Sequence, residues 1–209
     1  VSHDLKTPLA TIIGSLEIYT RMDEKLSAEK KEMLIKSALG EAYRLDHFIT
    51  NILDMAKLES GILKVRTERC DIAGLLQDCV TRLGPRSEKG HIVISCPKAP
   101  IAYTDPMLLA RAVSILLDNA LKHAGKNPAI ETGAFILVRD NGPGIPEGRE
   151  EEIFSKYTRF SKSDQQNAGT GLGLAICKQI MQLLHGSVDV RKGLPHGAVF
   201  TLHFLPKPA

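Results

Sequence analysis

Apolar residues recur every three or four positions through roughly the first sixty residues of the chain. One run spans residues 5–22, and after a polar break a second continues to Ser60-Gly61. This spacing predicts two amphipathic helices with a short connection, and Ser27 is the predicted N-cap of the second helix. Such a hairpin has a wide apolar face with little to cover it. We therefore expect two copies to pack as a four-helix bundle in a homodimer.

From about residue 66 onward, short strand-like runs mix with helical ones. Asp105 and Pro106 predict the start of a helix, with Asp105 as N-cap and Pro106 at the first position. Strand-like segments are HIVISC, IAYTD and FILVRD, and GSVDVRK with GAVFTLHFL suggests a closing β-hairpin. The predicted fold is therefore an all-α helical hairpin over 1–61 followed by an α+β sandwich over 66–209.

Composition and charge narrow the possible functions. The chain has 209 residues, 43% of them hydrophobic, so a packed core is expected. The net charge is only +3, and Lys and Arg are spread along the chain, which argues against a nucleic-acid partner. The four cysteines form no C-x-x-C pair, and reduced thiols in a cytosolic protein are expected.

The chain contains no apolar stretch of membrane-spanning length, and a helical pattern is already under way at Val1. We expect a fragment of a longer polypeptide, the cytoplasmic portion of a membrane-anchored bacterial sensor. Any contact with the membrane would then be made through segments outside this sequence.

The segment LLDNALKHA carries the first cluster of candidate chemistry. On a helix, Asn119, Lys122 and His123 stand at i, i+3 and i+4 and share one face. An amide oxygen beside an ammonium group suits a magnesium ion and phosphate oxygens. The alternative is an ordinary solvated helix face.

The second cluster, RDNGPGIP, follows the strand-like segment FILV. Gly142 and Gly144 permit close approach of the backbone to a flat ligand. Asp140 is placed to accept a hydrogen bond from an exocyclic amine such as that of adenine. An ordinary glycine turn after a strand is the alternative.

The third cluster is GTGLGLAICKQI, where Gly169, Gly171 and Gly173 lead into a helix whose free N–H groups would face an anion. No Lys-Ser/Thr follows, so it is not a Walker motif, and no strand leads directly into it. A flexible start of a helix is the alternative.

Between His123 and Asp140 the chain is short for two strands and a turn, because these elements must fit within KNPAIETGAFILV. Either the hairpin there is clipped, or residues are absent from the sequence.

Taken in order, with IFSKYTRF between the second and third, these clusters resemble the nucleotide-binding domain of sensor histidine kinases. That domain has the Bergerat ATP-binding fold, which type II topoisomerases, mismatch-repair ATPases and a major heat-shock chaperone share. The opening stretch SHDLKTPL resembles the H-box of histidine kinases, which those other relatives lack. In detail, HDLKTPL, LLDNA, RDNGPGIP and GLGLAIC resemble the potassium-responsive Kdp-type sensor kinases.

The resemblance implies that His3 is the phosphoacceptor. Neutral imidazole is a competent nucleophile near physiological pH. In the family, the acidic neighbour, here Asp4, accepts a hydrogen bond from one ring nitrogen. Thr7 matches the position that orients the water which dephosphorylates the partner regulator. Pro8 lacks the N–H that would bond to the Asp4 carbonyl, which favours a local kink.

The resemblance further implies ATP and Mg²⁺ as cofactors and a response-regulator receiver domain as partner. Adenine would bind Asp140, and Asn119 would hold the metal. The implied ATP-binding residues are Asn119, Lys122, His123, Asp140, Gly142, Gly144, Ile145, Tyr157, Arg159, Gly169, Thr170, Gly171, Leu172 and Gly173. The loop from about Ser155 to Thr170 would close over the phosphates, and Phe154 and Tyr157 would anchor its root.

The predicted activity is ATP-dependent autophosphorylation of His3, followed by phosphotransfer to a regulator aspartate and by phosphatase activity on the phosphorylated regulator. Two alternatives remain at this point. One is a Bergerat-fold ATPase with water as acceptor, and the other is a dimeric scaffold that binds ATP without transferring phosphate.

Overall fold

A computed structural model describes residues 2–22, 25–84, 92–96, 101–123, 128–132, 135–158 and 171–204. The chain divides into two compact units, Val1–Ala56 and Lys57–Ala209, so the division falls near the end of the second long helix. None of the helices in the described residues is both long and apolar enough to cross a membrane.

The first unit contains the two predicted helices, α1 (Ser2–Arg21) and α2 (Ala28–Glu59). Ser27 caps α2 as predicted: its Oγ accepts from the Lys30 N–H at 3.4 Å, and its carbonyl accepts from the Lys31 N–H at 3.0 Å. After α2, Gly61 adopts a φ of 65°, a conformation that glycine takes without strain.

Each helix of this hairpin carries two apolar stripes. One stripe is buried and includes Pro8 of α1 and Phe48 and Met55 of α2. The other is open to solvent: side chains on it are between 43% and 53% exposed, namely Leu9, Ile13 and Leu16 of α1 and Ile35, Leu39, Ile49 and Leu53 of α2. The wide apolar face predicted from the sequence is therefore present.

The second unit is built on a mixed five-stranded sheet with strand order β2-β4-β5-β7-β6. The β2–β4 pair is parallel and the other pairs are antiparallel. A separate antiparallel pair joins β1 and β3. The strands are β1 (Glu68–Asp71), β2 (Val93–Ser95), β3 (Ile101–Thr104), β4 (Ala129–Thr132), β5 (Phe135–Arg139), β6 (Ser187–Lys192) and β7 (Ala198–His203).

Among the described residues of this unit, three helices and one 3₁₀ turn accompany the strands, which confirms the predicted fold class. Helix α4 contacts β5, α5 contacts β6, and α4 and α5 pack against each other. The elements are α3 (Ile72–Arg82), α4 (Pro106–His123), α5 (Gly173–Leu183) and the turn Glu152–Phe154. Their shared core includes Leu116, Leu117, Ile130, Ile136, Val138, Ile176, Ile180, Phe200 and Leu202.

Asp105 fixes the start of α4, the helix that carries the first predicted cluster. Its Oδ1 accepts from the N–H groups of Met107 and Leu108 at 3.0 and 3.1 Å, so the predicted N-cap is confirmed. Its Oδ2 accepts from the Arg66 N–H at 2.9 Å, and this bond joins the segment that follows α2 to the start of α4.

The tight segment before Asp140 does form a hairpin. Strands β4 and β5 pair antiparallel, from Ala129 opposite Arg139 to Thr132 opposite Ile136. Both alternatives left open by the sequence, a clipped hairpin or absent residues, are compatible with this pairing.

Candidate functional site

Asp140 lies directly after β5 and is almost fully buried, with 3% of its surface exposed. Its Oδ1 accepts from the Gly142 N–H at 2.9 Å and from the Ala198 N–H at 3.1 Å. The backbone N–H of Asp140 donates to the Ala198 carbonyl at 2.9 Å. Within the described part of the chain, Oδ2 receives no comparable bond. One carboxylate oxygen is thus held by the backbone, and the other remains an acceptor for a ligand.

Gly144, in the D-x-G-x-G loop formed by residues 140–144, packs against the connection between β6 and β7. Gly144 has a φ of 78°, and a Cβ added there would lie 2.9 Å from the Gly197 carbonyl oxygen. Gly144 is therefore needed for contact between two stretches of backbone, whereas the sequence suggested contact with a ligand. Gly142 and Ile145 are half-buried beside it.

Asn119 lies on the part of α4 that approaches the start of α5. The two helices run antiparallel: a Cβ on Gly173 would lie 3.3 Å from Ile115, and the Cys177 Sγ lies 3.9 Å from the Ala112 carbonyl oxygen. Because Asn119 is one turn beyond Ile115, it stands on the side of the α5 N-terminus. Asn119 is half-buried.

The other two residues of this cluster, Lys122 and His123, also belong to α4. Lys122 is exposed, and the side chain of His123 is outside the described part of the structure.

The glycine-rich segment before α5 is joined to the segment after the 3₁₀ turn. The Tyr157 N–H donates to the Gly171 carbonyl at 2.8 Å, and a Cβ on Gly171 would lie 2.8 Å from the Tyr157 Cα. Leu172 is buried, and Gly173 is the first residue of α5. Tyr157 is half-exposed with a φ of 64°. Three predicted ATP-binding residues lie outside the described residues: Arg159, Gly169 and Thr170.

Phe154 anchors the segment that leads to Tyr157, as predicted. Its buried ring packs edge-on against Phe200 of β7, with centroids 6.5 Å apart. The Lys178 Nζ lies 5.6 Å from the Phe154 centroid and 3.1 Å from a carboxylate oxygen of Glu151. The root of this loop is therefore fixed to both α5 and β7.

The candidate phosphoacceptor lies in the first unit. His3, Asp4 and Thr7 are all in the first two turns of α1, and His3 and Thr7 are one turn apart on the same side. Asp4 is half-buried and Thr7 is exposed, while the side chain of His3 is outside the described part. Helix α1 continues through Pro8.

No cluster of three or more His, Cys, Asp or Glu side chains suited to a metal ion occurs among the described residues. Three of the four cysteines are buried, and burial raises the pKa of Cys177 to about 12. Burial likewise raises the pKa of the Cys70 and Cys79 thiols. Burial therefore disfavours the thiolate form of these three side chains.

Gly197 and Ala198 lie at the site although none of the sequence motifs includes them. A Cβ on Gly197 would lie 2.0 Å from the Asp140 carbonyl oxygen, and Ala198 supplies one of the bonds to the carboxylate. The signal in the sequence is slight: a glycine directly before a strand, in HGAVF.

Two family models match this chain. The model described as histidine kinase-, DNA gyrase B-, and HSP90-like ATPase matches residues 104–209, and the His Kinase A (phospho-acceptor) domain matches residues 1–61.

Curated relatives include the adaptive-response sensory kinase SasA of Synechococcus sp. (strain JA-3-3Ab), 30% identical over 97% of this chain and 56% of that protein. The sensor protein KdpD of Escherichia coli (strain K12) is 31% identical over 96% of this chain and 23% of its own length. The chain thus spans about half or less of the length of these relatives. Since the two identities are nearly equal, the Kdp-type subfamily stays a prediction.

Solved structures share the fold. The Acinetobacter baumannii histidine kinase AdeS superimposes with a TM-score of 0.72 at 20% identity, covering 99% of this chain and 98% of that one. Full-length ShkA in complex with AMPPNP has a TM-score of 0.67 at 24% identity, covering 94% of this chain and 45% of that one. Histidine kinase ThkA in complex with response regulator protein TrrA has a TM-score of 0.71 at 22% identity, covering 97% of this chain and 58% of that one.

Proposed function

Because this chain belongs to the sensor histidine kinases, we propose that it transfers the γ-phosphoryl group of ATP to His3, and from His3 to an aspartate of a response regulator. It comprises the catalytic core of that family, a phosphoacceptor hairpin followed by an ATPase domain. We assign residues 1–61 to phosphotransfer and residues 66–209 to ATP binding.

The observation that carries this proposal is the Asp140 carboxylate, buried and held through Oδ1 by two backbone N–H groups. An anionic acceptor fixed in this way fits the exocyclic amine of adenine. The AMPPNP bound in the ShkA structure is an adenine nucleotide, which supports this ligand class.

The phosphate end of ATP would lie between α4 and the start of α5. Helix α5 is eleven residues long and begins at Gly173, so its first N–H groups and its dipole favour an anion. Asn119 stands on that side of α4, and Lys122 is one turn further along. The amide oxygen of Asn119 suits Mg²⁺, which usually keeps few protein ligands and binds phosphate oxygens. The bound metal would neutralise charge on the phosphates.

At His3, a bond forms between an imidazole nitrogen and the γ-phosphorus as the bond from that phosphorus to the bridging oxygen of ADP breaks. Transfer of this kind depends on positioning and on neutralisation of charge. We assign Asp4 to hold the second ring nitrogen. We assign Thr7, which is exposed and one turn from His3, to dephosphorylation of the phosphorylated regulator.

Two partners follow from this proposal. The complex of ThkA with TrrA supports a response regulator as the phosphoryl acceptor. The exposed apolar stripes of α1 and α2 support a homodimer, because a second hairpin would cover them. A membrane anchor outside this sequence stays a prediction.

The test is labelling with γ-³²P-ATP. We expect acid-labile phosphate on the wild-type chain and none on His3→Gln, with binding of a non-hydrolysable ATP analogue unchanged between the two. Acid-labile label that persists on His3→Gln would refute the assignment of the nucleophile. Steady phosphate release without protein label would instead favour the ATPase with water as acceptor.

A further inference from the structure

We propose that Gly197 is a positioning residue for base recognition: it holds the Asp140 carboxylate in the orientation that selects a purine with a 6-amino group. This inference rests on the proposed binding of ATP. It adds a residue of the β6–β7 connection, which belongs to neither the RDNGPGIP nor the GTGLGLAICKQI cluster, to the determinants of nucleotide specificity.

The contact between Gly197 and Asp140 leaves no space for a side chain. Gly197 has a φ of 94°, and a Cβ there would lie 2.0 Å from the Asp140 carbonyl oxygen and 2.8 Å from its carbonyl carbon. It would also lie 3.1 Å from the Asn141 Cα. All three neighbours are backbone atoms, so no side-chain rotation relieves the overlap. Any residue other than glycine must displace the Asp140 backbone.

Two further glycines fix the position of Gly197 itself. The Gly193 N–H donates to the Gly197 carbonyl at 2.8 Å. The same carbonyl oxygen is 2.9 Å from where a Cβ on Gly144 would lie. The β6–β7 connection at Gly197 is therefore held from both sides: by Gly193 in the same turn and by Gly144 in the D-x-G-x-G loop.

The residue that follows Gly197 completes the link to the carboxylate. Ala198 donates its N–H to Asp140 Oδ1 and accepts from the Asp140 N–H through its carbonyl. With Gly142 as the second donor, Oδ1 is occupied and Oδ2 is the acceptor left for the ligand. A shift at Gly197 moves Ala198, turns the carboxylate and misplaces Oδ2.

This arrangement of Oδ2 distinguishes purines by the substituent at position 6. An adenine amine donates to Oδ2, whereas a 6-oxo group would place an acceptor against a carboxylate and lose the bond. A purine without any 6-substituent loses the bond but adds no repulsion. Purine riboside triphosphate is therefore the probe that isolates the contribution of Oδ2.

The experiment measures affinities of ATP and of purine riboside triphosphate by titration calorimetry in magnesium buffer, on wild type and Gly197→Ala. Wild type should prefer ATP by roughly tenfold or more, the value of one hydrogen bond to a charged group. Gly197→Ala should bind ATP roughly tenfold more weakly and purine riboside triphosphate unchanged, so that the preference disappears.

Gly148→Ala is the matched control. Gly148 also has a positive φ, 77°, but a Cβ there meets nothing within 4 Å. Gly148→Ala introduces the same type of backbone strain, an alanine at positive φ, without a contact to Asp140. Its preference for ATP should therefore equal that of wild type.

The outcomes separate the two proposals. A Gly197→Ala chain that keeps the preference, or that loses both ligands equally, overturns the positioning role. Wild type that binds both ligands equally leaves ATP binding intact and also overturns it. Wild type that binds neither overturns the proposed function. If Gly197→Ala does not fold, the same titrations are made on Gly193→Ala, whose Cβ would lie 2.6 Å from the His196 carbonyl oxygen in the turn that holds Gly197. This variant should reduce the preference for ATP over purine riboside triphosphate. An unchanged preference in Gly193→Ala overturns the positioning role of Gly197.

Discussion

Replacing Asp140 with asparagine or with alanine should separate the structural role of this residue from its role in binding. Alanine removes the acceptor of two N–H groups, those of Gly142 and Ala198, at a position that is 3% exposed. A buried donor left unpaired costs ~1–3 kcal/mol. For two such donors, we therefore expect Asp140→Ala to lower the free energy of unfolding of the second unit by about 2–6 kcal/mol.

Asparagine keeps one oxygen in the position of Oδ1, so both N–H groups stay paired. Only the stronger bond to a charged acceptor is lost, which corresponds to about 1 kcal/mol. The side-chain NH₂ then occupies the place of Oδ2 and faces the adenine amine, donor against donor. Loss of that bond and of the charge should weaken ATP binding by about 2–3 kcal/mol, roughly 30- to 150-fold.

The assay combines three measurements on the same samples. Chemical denaturation followed by circular dichroism gives stability, and calorimetry gives the affinity for magnesium and a non-hydrolysable ATP analogue. Hydrogen exchange at the Gly142 and Ala198 amides reports the two bonds directly. Both amides should stay protected in Asp140→Asn and exchange faster in Asp140→Ala.

Two results would refute this reasoning. Unchanged protection of both amides in Asp140→Ala would mean that the carboxylate does not hold the backbone. Near-normal affinity for the analogue in Asp140→Asn would mean that Oδ2 does not contact the base.

Three further predictions concern other parts of the chain. Asn119→Ala should lose most His3 labelling because the metal is misplaced, and an undiminished rate of label incorporation would argue against Asn119 as the metal ligand. Thr7→Ala should keep autophosphorylation and lose dephosphorylation of the regulator, and an unaltered decay of the labelled regulator would contradict that role. Burial raises the pKa of Cys177 to about 12, so its contribution to stability is complete below pH 9 and declines as the pH rises from 9 toward 12. At pH 8 a thiol reagent should modify half-exposed Cys96 quickly and Cys177 only on unfolding, which mass spectrometry of timed samples would check.

The sequence predicts best the features that local rules determine. Ser27 and Asp105 cap α2 and α4 because a side-chain oxygen next to a helical pattern satisfies the first free N–H groups. The hairpin of β6 and β7 follows from two strand patterns that are close in sequence. The apolar stripes of the first unit follow from helical spacing alone.

The features that escaped prediction depend on contacts between distant segments. Gly197 meets Asp140 only because β5 and β7 are neighbours in the sheet, with Arg139 opposite Val199. The β1–β3 pair joins Glu68 to Thr104 across more than thirty residues. The positive φ of Tyr157 arises beside Gly171, and no local pattern demands it. Local spacing carries no information on these pairings.

The proposed site separates the residues assigned to the base from those assigned to the phosphates. Asp140 is held by the backbone of β7, whereas Asn119 and the start of α5 belong to the helical layer. In the proposed complex, Oδ2 accepts the same hydrogen bond from adenine in the ground state and in the transition state of phosphoryl transfer, so this bond would contribute uniform binding. Weakening it should raise KM with little change in kcat. Asn119, as the proposed metal ligand, would act where charge is redistributed as the phosphoryl group moves, so its loss should lower mainly kcat. A fixed acceptor discriminates between bases only if its backbone cannot move to accommodate the wrong one. Gly197 packs directly against the Asp140 backbone, and Gly144 packs against Gly197, so both contacts restrict that movement.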